Sequence, residues 1–270
     1  MNEYNMIAGV YDSINSGVDY GKWGDLFERM LDKYLPERPS LVLDLACGTG
    51  KMTLEFSKRG YDMIGVDGSA EMLAVATDSL YDMIDSGALS EDLPRPLMLC
   101  QDMREFELYG TVGAAFCCLD SLNYLTDDGD LEKCLATVHN YLDPDGLFLF
   151  DMNTPFKFEN IYGENAYVYD MPEGEDAGAR FCVWQNFYDK DSKICDFYLT
   201  LFESDKDGKY QRADEEQRER CYTLDEIKSA LIGAGFELLE VVSDYDGSPI
   251  SEDTQRWYFT ARAIKDQPIA

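Results

Sequence analysis

Residues 41–50 read LVLDLACGTG, a strand-forming run that ends at an acid and a glycine-bearing turn. The apolar stretch, interrupted only by Asp44, predicts a buried β-strand. A turn of small residues lets a ligand approach the backbone closely. The following segment, GKMTLEFSKRG at 50–60, is typical of a helix closed by Gly60. The stretch therefore predicts a strand–turn–helix unit with a ligand site at the turn.

The same alternation of strands and helices continues to about residue 154. Continuous apolar strands between helices predict a parallel sheet covered on both faces. An amphipathic helical region precedes it, within residues 1–37. The predicted strands of this part are 41–46, 61–67, 96–102, 111–120 and 147–153, and the predicted helices are 50–60, 69–84 and 130–142.

The pattern changes to a period of two between about residues 165 and 220. Cys195, Phe197, Leu199 and Leu201 alternate with more polar neighbours, which predicts antiparallel strands with one covered face. A helix capped by Thr223 and two strands, 236–243 and 256–263, complete the chain. We therefore expect an α/β domain of residues 1–154 and 221–270, interrupted by an antiparallel β insert of residues 155–220 that forms a lid over the substrate site.

Composition narrows the function classes. The 270 residues are 45% hydrophobic, enough for a substantial core, and carry 53 acidic against 23 basic residues, a net charge of −30. Such a chain repels phosphate backbones and anionic lipid, so we expect neither nucleic acid nor membrane as a partner. The N-terminus has no signal-peptide pattern, and no apolar run is long enough to span a bilayer.

The cysteines indicate a reducing compartment. Eight are present, none in a C-x-x-C pair, and several lie in apolar runs as buried thiols do. One histidine is too few for a Cys/His zinc site, so no metal is expected. These observations predict a cytoplasmic protein.

Two familiar phosphate-binding turns fit the opening stretch poorly. A P-loop requires G-x-x-x-x-G-K-[ST], but Leu45 occupies the first glycine position and Met52 the hydroxyl position. A dinucleotide fingerprint requires G-x-G-x-x-G/A, but Thr53 occupies the third glycine position. Asp44 would also repel an incoming pyrophosphate. A ligand without phosphate fits the turn better.

The segment DLACGTG at 44–50 resembles the D-x-G-x-G-x-G motif of class I S-adenosylmethionine-dependent methyltransferases, departing only by Ala46 at the first glycine. Their ligand carries a sulfonium and an ammonium group, so Asp44 beside the turn is favourable. The resemblance is strong over residues 41–152. It implies a Rossmann-like sheet of seven strands, mostly parallel, with the last strand antiparallel and helices on both faces.

The resemblance also implies the positions of the cofactor contacts. An acid at the end of the second strand, Asp67, can accept both ribose hydroxyls. In the family an acid after the third strand, here Asp102, meets the adenine amino group. The N-terminal segment resembles a bacterial small-molecule subset in which a helix covers the cofactor. The expected S-adenosylmethionine contacts are Asp44, Ala46, Cys47, Gly48, Gly50, Asp67, Gly68, Ser69, Met72, Asp102, Met103, Cys118, Leu119, Tyr11, Tyr20 and Trp23.

Residues beyond the fourth strand lie where open α/β sheets bind ligands. We expect at least one of Asp120, Asn123 and Tyr124 to contact substrate. Arginines in an acidic background, any of which could clamp a substrate carboxylate, are Arg180, Arg218 and Arg220.

One further motif of that subset, E-x-H-x-Q-R-x-Y, matches residues 215–222 loosely. Gln217 replaces the histidine and Glu219 the glutamine. The sequence therefore assigns no catalytic base.

The sequence thus predicts methyl transfer from S-adenosylmethionine to a small molecule by in-line displacement, with the protein supplying mainly position and exclusion of water. Two alternatives stay open. One is a methyltransferase that acts on protein, or less readily on RNA. The other is a protein that binds the cofactor without catalysis. A blocked or absent second cavity would favour this alternative.

Overall fold

Eleven strands form two sheets in a computed structural model that describes residue 8 and residues 11–171, 179–205 and 207–265. The strands are β1 Leu41–Leu45, β2 Asp62–Asp67, β3 Leu97–Cys100, β4 Val112–Cys117, β5 Leu142–Asn153, β6 Ala166–Asp170, β7 Arg180–Asp189, β8 Ile194–Ser204, β9 Tyr210–Arg220, β10 Phe236–Val242 and β11 Arg256–Ala263.

Helices connect the strands at the predicted places. Ser69 caps its helix by accepting a hydrogen bond from the Met72 backbone N–H (3.2 Å), and Thr223 and Glu226 form a capping box. A 3₁₀ turn covers Ser121–Tyr124 and a π-helical turn covers Phe158–Tyr162. The α-helices are α1 Tyr11–Ile14, α2 Tyr20–Tyr34, α3 Lys51–Lys58, α4 Ala70–Asp85, α5 Asp130–Tyr141, α6 Pro155–Lys157 and α7 Leu224–Gly233.

The first sheet has seven strands in the order β10-β11-β5-β4-β1-β2-β3. β1 to β5 are parallel, and β11 runs antiparallel to β5. This confirms the predicted fold class. The chain crosses from one side of β1 to the other between β3 and β4, and such a switch opens a crevice at the carboxyl ends of the strands.

Helices cover both faces of this sheet. On one face, α2 and α3 pack Phe27 and Phe56 against Phe116 of β4, with ring centroids 4.8 and 4.4 Å apart. On the other, Leu135 of α5 and Leu231 of α7 belong to a buried cluster with the phenylalanines of β5. The sheet is a rigid base for the residues at its strand ends.

The fifth strand begins earlier than predicted. It starts at Leu142 because the segment 143–146 forms an irregularity in the strand, with Asp145 at a φ of 61° and a register shift between Val112 and Ala114 of β4. The turn residues DPDG therefore interrupt the strand pairing without ending it.

The second sheet contains β6-β7-β8-β9, all antiparallel, and falls within the segment predicted as an insert. Cys195, Phe197 and Leu199 of β8 are buried on one face, which confirms the period-two interpretation. Within the described ranges no helix is long and apolar enough to cross a membrane.

Candidate active site

Three adjoining cavities lie at the carboxyl ends of the parallel strands. The strand-end cavity (about 560 Å³) lies beside β2 and β3, and the turn cavity (about 30 Å³) lies beside the β1 turn. The sheet cavity (about 320 Å³) lies between the end of β4 and the second sheet. Tyr11 lines all three, so the cavities meet at the start of α1.

Asp67 is the central acid of the strand-end cavity. Its carboxylate accepts one hydrogen bond from the Gly48 backbone N–H and one from the Ser69 backbone N–H, each 2.8 Å long. Burial raises the pKa of Asp67, and these two hydrogen bonds oppose the rise. Each carboxylate oxygen keeps a lone pair, so the group can still accept the two hydroxyls of a ribose.

Asp102 lies at the other end of this cavity and is paired. Arg104 contacts its carboxylate at 2.6 Å and also pairs with Asp130 at 2.7 Å. The Arg104 side chain lowers the pKa of Asp102, so this acid is ionised and can accept an amino group. The sequence reasoning had not considered Arg104, which lines the same cavity.

The turn cavity contains the acid of the opening motif. Asp44 is 1% exposed and accepts a hydrogen bond from the Thr53 hydroxyl. Burial raises the pKa of Asp44 to about 7. A buried carboxyl group that lacks a cation favours a ligand that brings one. An ammonium group in this cavity would fit it.

The backbone of the turn is left-handed at several positions. Ala46 has a φ of 55° and Gly48 a φ of 53°, and both line the cavities. Gly50, at a φ of 75°, does not line them; a Cβ there would approach the Ala76 Cβ to 2.9 Å. Position 50 thus requires glycine because a larger residue would collide with α4.

A polar contact fixes α1 over the turn. Asp12 accepts a hydrogen bond from the Thr49 hydroxyl (2.7 Å) and pairs with Lys51 (2.9 Å). These contacts hold Tyr11 at the junction of the cavities, where burial raises the pKa of its hydroxyl. Asp12 thus holds the short helix α1 over the turn.

The end of β4 carries two consecutive left-handed residues, Leu119 (φ 58°) and Asp120 (φ 55°). Non-glycine residues rarely adopt this conformation, and such strain concentrates at functional sites. The Asp120 backbone N–H donates to Asp151 Oδ2 at 3.0 Å, which holds the turn. Leu119 lines both the turn cavity and the sheet cavity, so the strained turn joins them.

A buried charge network closes the inner end of the sheet cavity. Arg256 of β11 pairs with Asp120 at 2.8 Å and also contacts Asp151. Lys157 donates to Asn153 Oδ1 at 2.9 Å, and burial lowers the pKa of Lys157. Sequence reasoning missed Arg256 and Lys157, because nothing local marks them as partners of a residue after β4.

Asn153 joins two carboxyl groups in this network. Its Nδ2 atom donates to Asp120 Oδ2 (2.7 Å) and to Glu219 Oε2 (3.0 Å). Glu219 is 1% exposed and lines the sheet cavity. Burial, and then the charge of Asp120, raise the pKa of Glu219 well above its usual value.

The outer part of the sheet cavity is aromatic. Two buried polar atoms on its β7 wall, Trp184 Nε1 and Asn186 Oδ1, have no hydrogen-bond partner among the described residues. Orphaned buried polar groups are costly and indicate a place for a ligand. The aromatic side chains that line the cavity are Tyr11, Tyr124, Tyr162, Tyr167, Tyr169 and Trp184.

Most residues expected at the cofactor line the first two cavities. They are Tyr11, Ala46, Gly48, Asp67, Gly68, Ser69, Met72, Asp102 and Met103 in the strand-end cavity, with Tyr20, Asp44, Cys47, Cys118 and Leu119 in the turn cavity. Trp23 instead packs in the core against Phe27 and Tyr258, because it lies on the buried face of α2.

The expected substrate residues divide in the same way. Asp120 and Tyr124 line the sheet cavity, and Tyr124 donates to Gln217 at 3.1 Å. Asn123 is fully buried and holds the backbone of Arg220 and Asn153.

The three candidate arginines lie away from the sheet cavity. Side chains alternate along β9, so Arg218 and Arg220 point to the face opposite to that of Gln217 and Glu219, which line the cavity. Arg218 pairs with Asp196, and Arg220 pairs with Asp128. Arg180 pairs with Glu203. The arginine that lines the sheet cavity is Arg256.

Comparison with known proteins gives a consistent result. A methyltransferase domain family matches residues 42–146. YqeM of Bacillus subtilis, whose name assigns it provisionally to the methyltransferases, is 30% identical over 97% of this chain and 98% of its own. A crystal structure of an S-adenosylmethionine-dependent methyltransferase from Clostridium acetobutylicum is 30% identical, covers 97% of this chain and 99% of that chain, and superposes with a TM-score of 0.81. A glycine/sarcosine N-methyltransferase from Halorhodospira halochloris is 30% identical over 58% of this chain and 59% of its own.

Proposed function

This chain belongs to the S-adenosylmethionine-dependent methyltransferases, and we propose that it methylates an amino group of a small molecule bound in the sheet cavity. The observation that carries the proposal is the junction of the cavities. Tyr11 and Leu119 line both the turn cavity and the sheet cavity. A ligand in each would meet at this point, which is the arrangement that transfer between them requires.

The cofactor fits the first two cavities. Asp67 and Asp102 would hold its ribose and adenine, and Asp44 would face its amino acid part, directly or through water. S-adenosylmethionine supplies a methyl group bound to a sulfonium, whose sulfur is a good leaving group. The left-handed turn at Ala46 and Gly48 leaves room for the ligand beside the backbone, and Tyr11 covers it.

The protein contributes position and exclusion of water. The Asp12 contacts with Thr49 and Lys51 fix α1 over the junction. The strained turn at Leu119 and Asp120 fixes the border of the sheet cavity. Holding two reactants in a near-attack geometry can supply about 7–11 kcal/mol of the barrier reduction.

An amine is the acceptor that the cavity favours. Asp120 presents a carboxylate, Glu219 a second carboxyl group, and the walls are aromatic, a lining that attracts cations. The two cations of the same lining, Arg256 and Lys157, are held by Asp120 and Asn153. The glycine/sarcosine N-methyltransferase among the similar proteins methylates amines, as its name states, which supports the same class here.

The size and charge of the protein disfavour macromolecular acceptors. A cavity of about 320 Å³ suits a small molecule. The net charge of −30 opposes RNA. Exposed apolar side chains of the second sheet, Val168, Phe187 and Tyr198, alternate with cavity-facing residues and so lie on the opposite face. A protein docked there would not reach the junction.

The protein is best assigned to the cytoplasm. All eight cysteines are free, and six are buried, as in proteins from a reducing compartment. The acidic surface supports the absence of nucleic acid and membrane partners.

Calorimetry with S-adenosylhomocysteine, followed by a screen for its release from S-adenosylmethionine, tests the proposal. The screen would include amines, phenols, carboxylates and thiols. We expect binding and turnover of an amine, and loss of both in Asp67→Ala. Asp62→Ala, at the opposite end of β2, is the matched control and should behave as the wild type. Binding without turnover of any acceptor would identify a non-catalytic cofactor-binding protein.

A further inference from the structure

Glu219 is a buried acid in the sheet cavity for which the sequence offered no role. We infer that Glu219 is the catalytic base that removes a proton from the ammonium group of the acceptor before methyl transfer. The inference rests on the proposed function and extends it, because it names the residue that makes a protonated amine nucleophilic.

The first argument is the position of Glu219 near the junction of the cavities. Glu219 of β9 is paired with Cys195 of β8. Glu215, four residues earlier on β9, is paired with Leu199. The next residue, Arg220, accepts a hydrogen bond from Asn123 at its backbone carbonyl (2.8 Å), which ties this end of β9 to the turn after β4. Glu219 therefore lies at the inner end of the cavity, near Asp120, and the orphaned atoms of Trp184 and Asn186 lie farther out.

The second argument is that Glu219 has no ion-pair partner of its own among the described residues, although the charge of Lys157 opposes the rise in its pKa. No lysine or arginine of the described chain forms an ion pair with it. Arg256 pairs with Asp120 and contacts Asp151, and Lys157 donates to Asn153. The hydrogen bond from Asn153 orients one carboxyl oxygen (3.0 Å). A side-chain hydrogen bond with Asp120 also acts on Glu219, so the group is held in place beside a second carboxyl group that lines the same cavity.

The two neighbouring acids differ in basicity, which divides their roles. Arg256 and Lys157 help to lower the pKa of Asp120 below its usual value, so Asp120 stays ionised and attracts the ammonium group. Burial, and then the charge of Asp120, raise the pKa of Glu219 well above its usual value, which makes its carboxylate a stronger base than that of Asp120. Burial raises the pKa values of Tyr11 and Tyr162, so neither hydroxyl is a competing base at neutral pH.

The chemistry balances with this assignment. The ammonium group gives one proton to the Glu219 carboxylate and becomes a neutral amine. Its nitrogen then forms a bond to the methyl carbon, while the C–S bond breaks and leaves its electron pair on sulfur. Glu219 releases the proton to solvent after the products leave. The titratable and charged groups that act on it are Asp120, Lys157, Tyr162 and Cys195. Arg256 and Asp151 contact Asp120.

The test is the pH dependence of methyl transfer by Glu219→Gln. The probe is the amine of the screen with the highest turnover. Glutamine keeps the size of the side chain and can accept the Asn153 hydrogen bond, but it cannot take a proton. We expect kcat at pH 7 to fall about 100-fold. The variant should recover about tenfold per pH unit as the free amine becomes available, while the wild type reaches its plateau at lower pH.

Two controls separate this role from a structural one. Glu216→Gln makes the same change on the exposed face of β9 and should leave the rate and pH profile unchanged. Glu219→Asp should restore part of the rate at pH 7, because it restores a carboxylate. Calorimetry of both Glu219 variants with S-adenosylhomocysteine should give the wild-type affinity.

The outcomes are distinguishable from failure of the proposed function. A wild type that does not bind S-adenosylhomocysteine would refute the cofactor site itself. A wild type that binds S-adenosylhomocysteine but methylates only phenols, carboxylates or thiols, or no acceptor, would refute both the amine acceptor and the role of Glu219 as base. Turnover of an amine with an unshifted pH profile in Glu219→Gln would refute the base alone.

Discussion

Asp120 and Arg256 form an ion pair of 2.8 Å in which the carboxylate side chain is 14% and the guanidinium side chain 20% exposed. The pair joins the strained turn after β4 to the antiparallel strand β11, and Arg256 extends it to Asp151 of β5. It therefore fixes the border between the turn cavity and the sheet cavity with residues of β5, β11 and the turn after β4.

Arg256→Leu should destabilise the protein strongly. Removal of the guanidinium leaves two buried carboxylates unpaired, and breaking a buried pair in this way costs about 3–5 kcal/mol. Urea unfolding followed by circular dichroism measures the change. Arg262→Leu, on the same strand, removes only the more exposed pair with Glu237 (3.6 Å) and should cost less than about 1 kcal/mol. Equal losses in the two variants would contradict the assignment of the network.

S-adenosylhomocysteine should bind more weakly at low pH. Burial raises the pKa of Asp44 to about 7, so the carboxylate that faces the ligand ammonium becomes protonated as the pH falls through 7. If only the ionised form attracts the ligand, affinity should fall about tenfold from pH 8 to pH 6.

Calorimetry of Asp44→Asn provides the control for this pH dependence, since the variant should bind weakly at both pH values. Adenosine lacks the ammonium group, so its binding affinity should not show the part of the pH dependence that Asp44 causes. The same pH dependence in adenosine would place the titrating group elsewhere, for instance at Asp67.

Ala46→Gly should stabilise the protein. Ala46 is left-handed at a φ of 55°, which costs an L-residue about 1–2 kcal/mol, whereas glycine loses about 0.5–1 kcal/mol in chain entropy. A net gain of about 0.5–1 kcal/mol in the free energy of unfolding follows. Ala74→Gly, on the exposed face of α4, should have the opposite sign, a loss of about 1 kcal/mol. Destabilisation by both changes would show that the Ala46 methyl group packs favourably.

Asn186→Leu should weaken acceptor binding without loss of stability. The Asn186 Oδ1 atom is buried without a partner in the described structure and faces the outer part of the sheet cavity. We expect KM for the amine acceptor to rise about tenfold, because an acceptor hydrogen bond is lost, with kcat little changed. Gln185→Leu, the same type of change on the exposed face of β7, should leave KM unaltered. An unchanged KM in Asn186→Leu would mean that the acceptor does not reach β7.

Much of the fold, and much of the lining of the strand-end and turn cavities, could be predicted because the relevant signals are local. Asp67 ends β2, Asp44 is the last residue but one of β1, and Asp102 follows the end of β3 by two residues. The ends of parallel strands meet at one edge of a sheet. Ser69 and Thr223 cap helices within three residues of their partners. Chain order and strand direction are enough to bring such groups together.

The contributions of individual side chains to the cavities were harder to predict. Tyr20 and Trp23 lie on the same helix, yet only Tyr20 lines a cavity, since Trp23 is on its core face. β9 lies within the segment predicted to be antiparallel, but which of its faces meets the cavity was not evident. The face of β9 that lines the cavity carries Glu219, whereas Arg218 and Arg220 lie on the other face.

The sequence by itself determined the order of strands and helices, the acids at or beside the strand ends and the turn of small residues after β1. Only the tertiary structure decided the acceptor side, where Arg256 meets Asp120 across 136 residues and Glu219 meets Asn153 across 66. The physical reason is that hydrophobic periodicity specifies which elements form, whereas a buried charge network depends on how separate elements pack, and that packing brings together groups that share no local pattern.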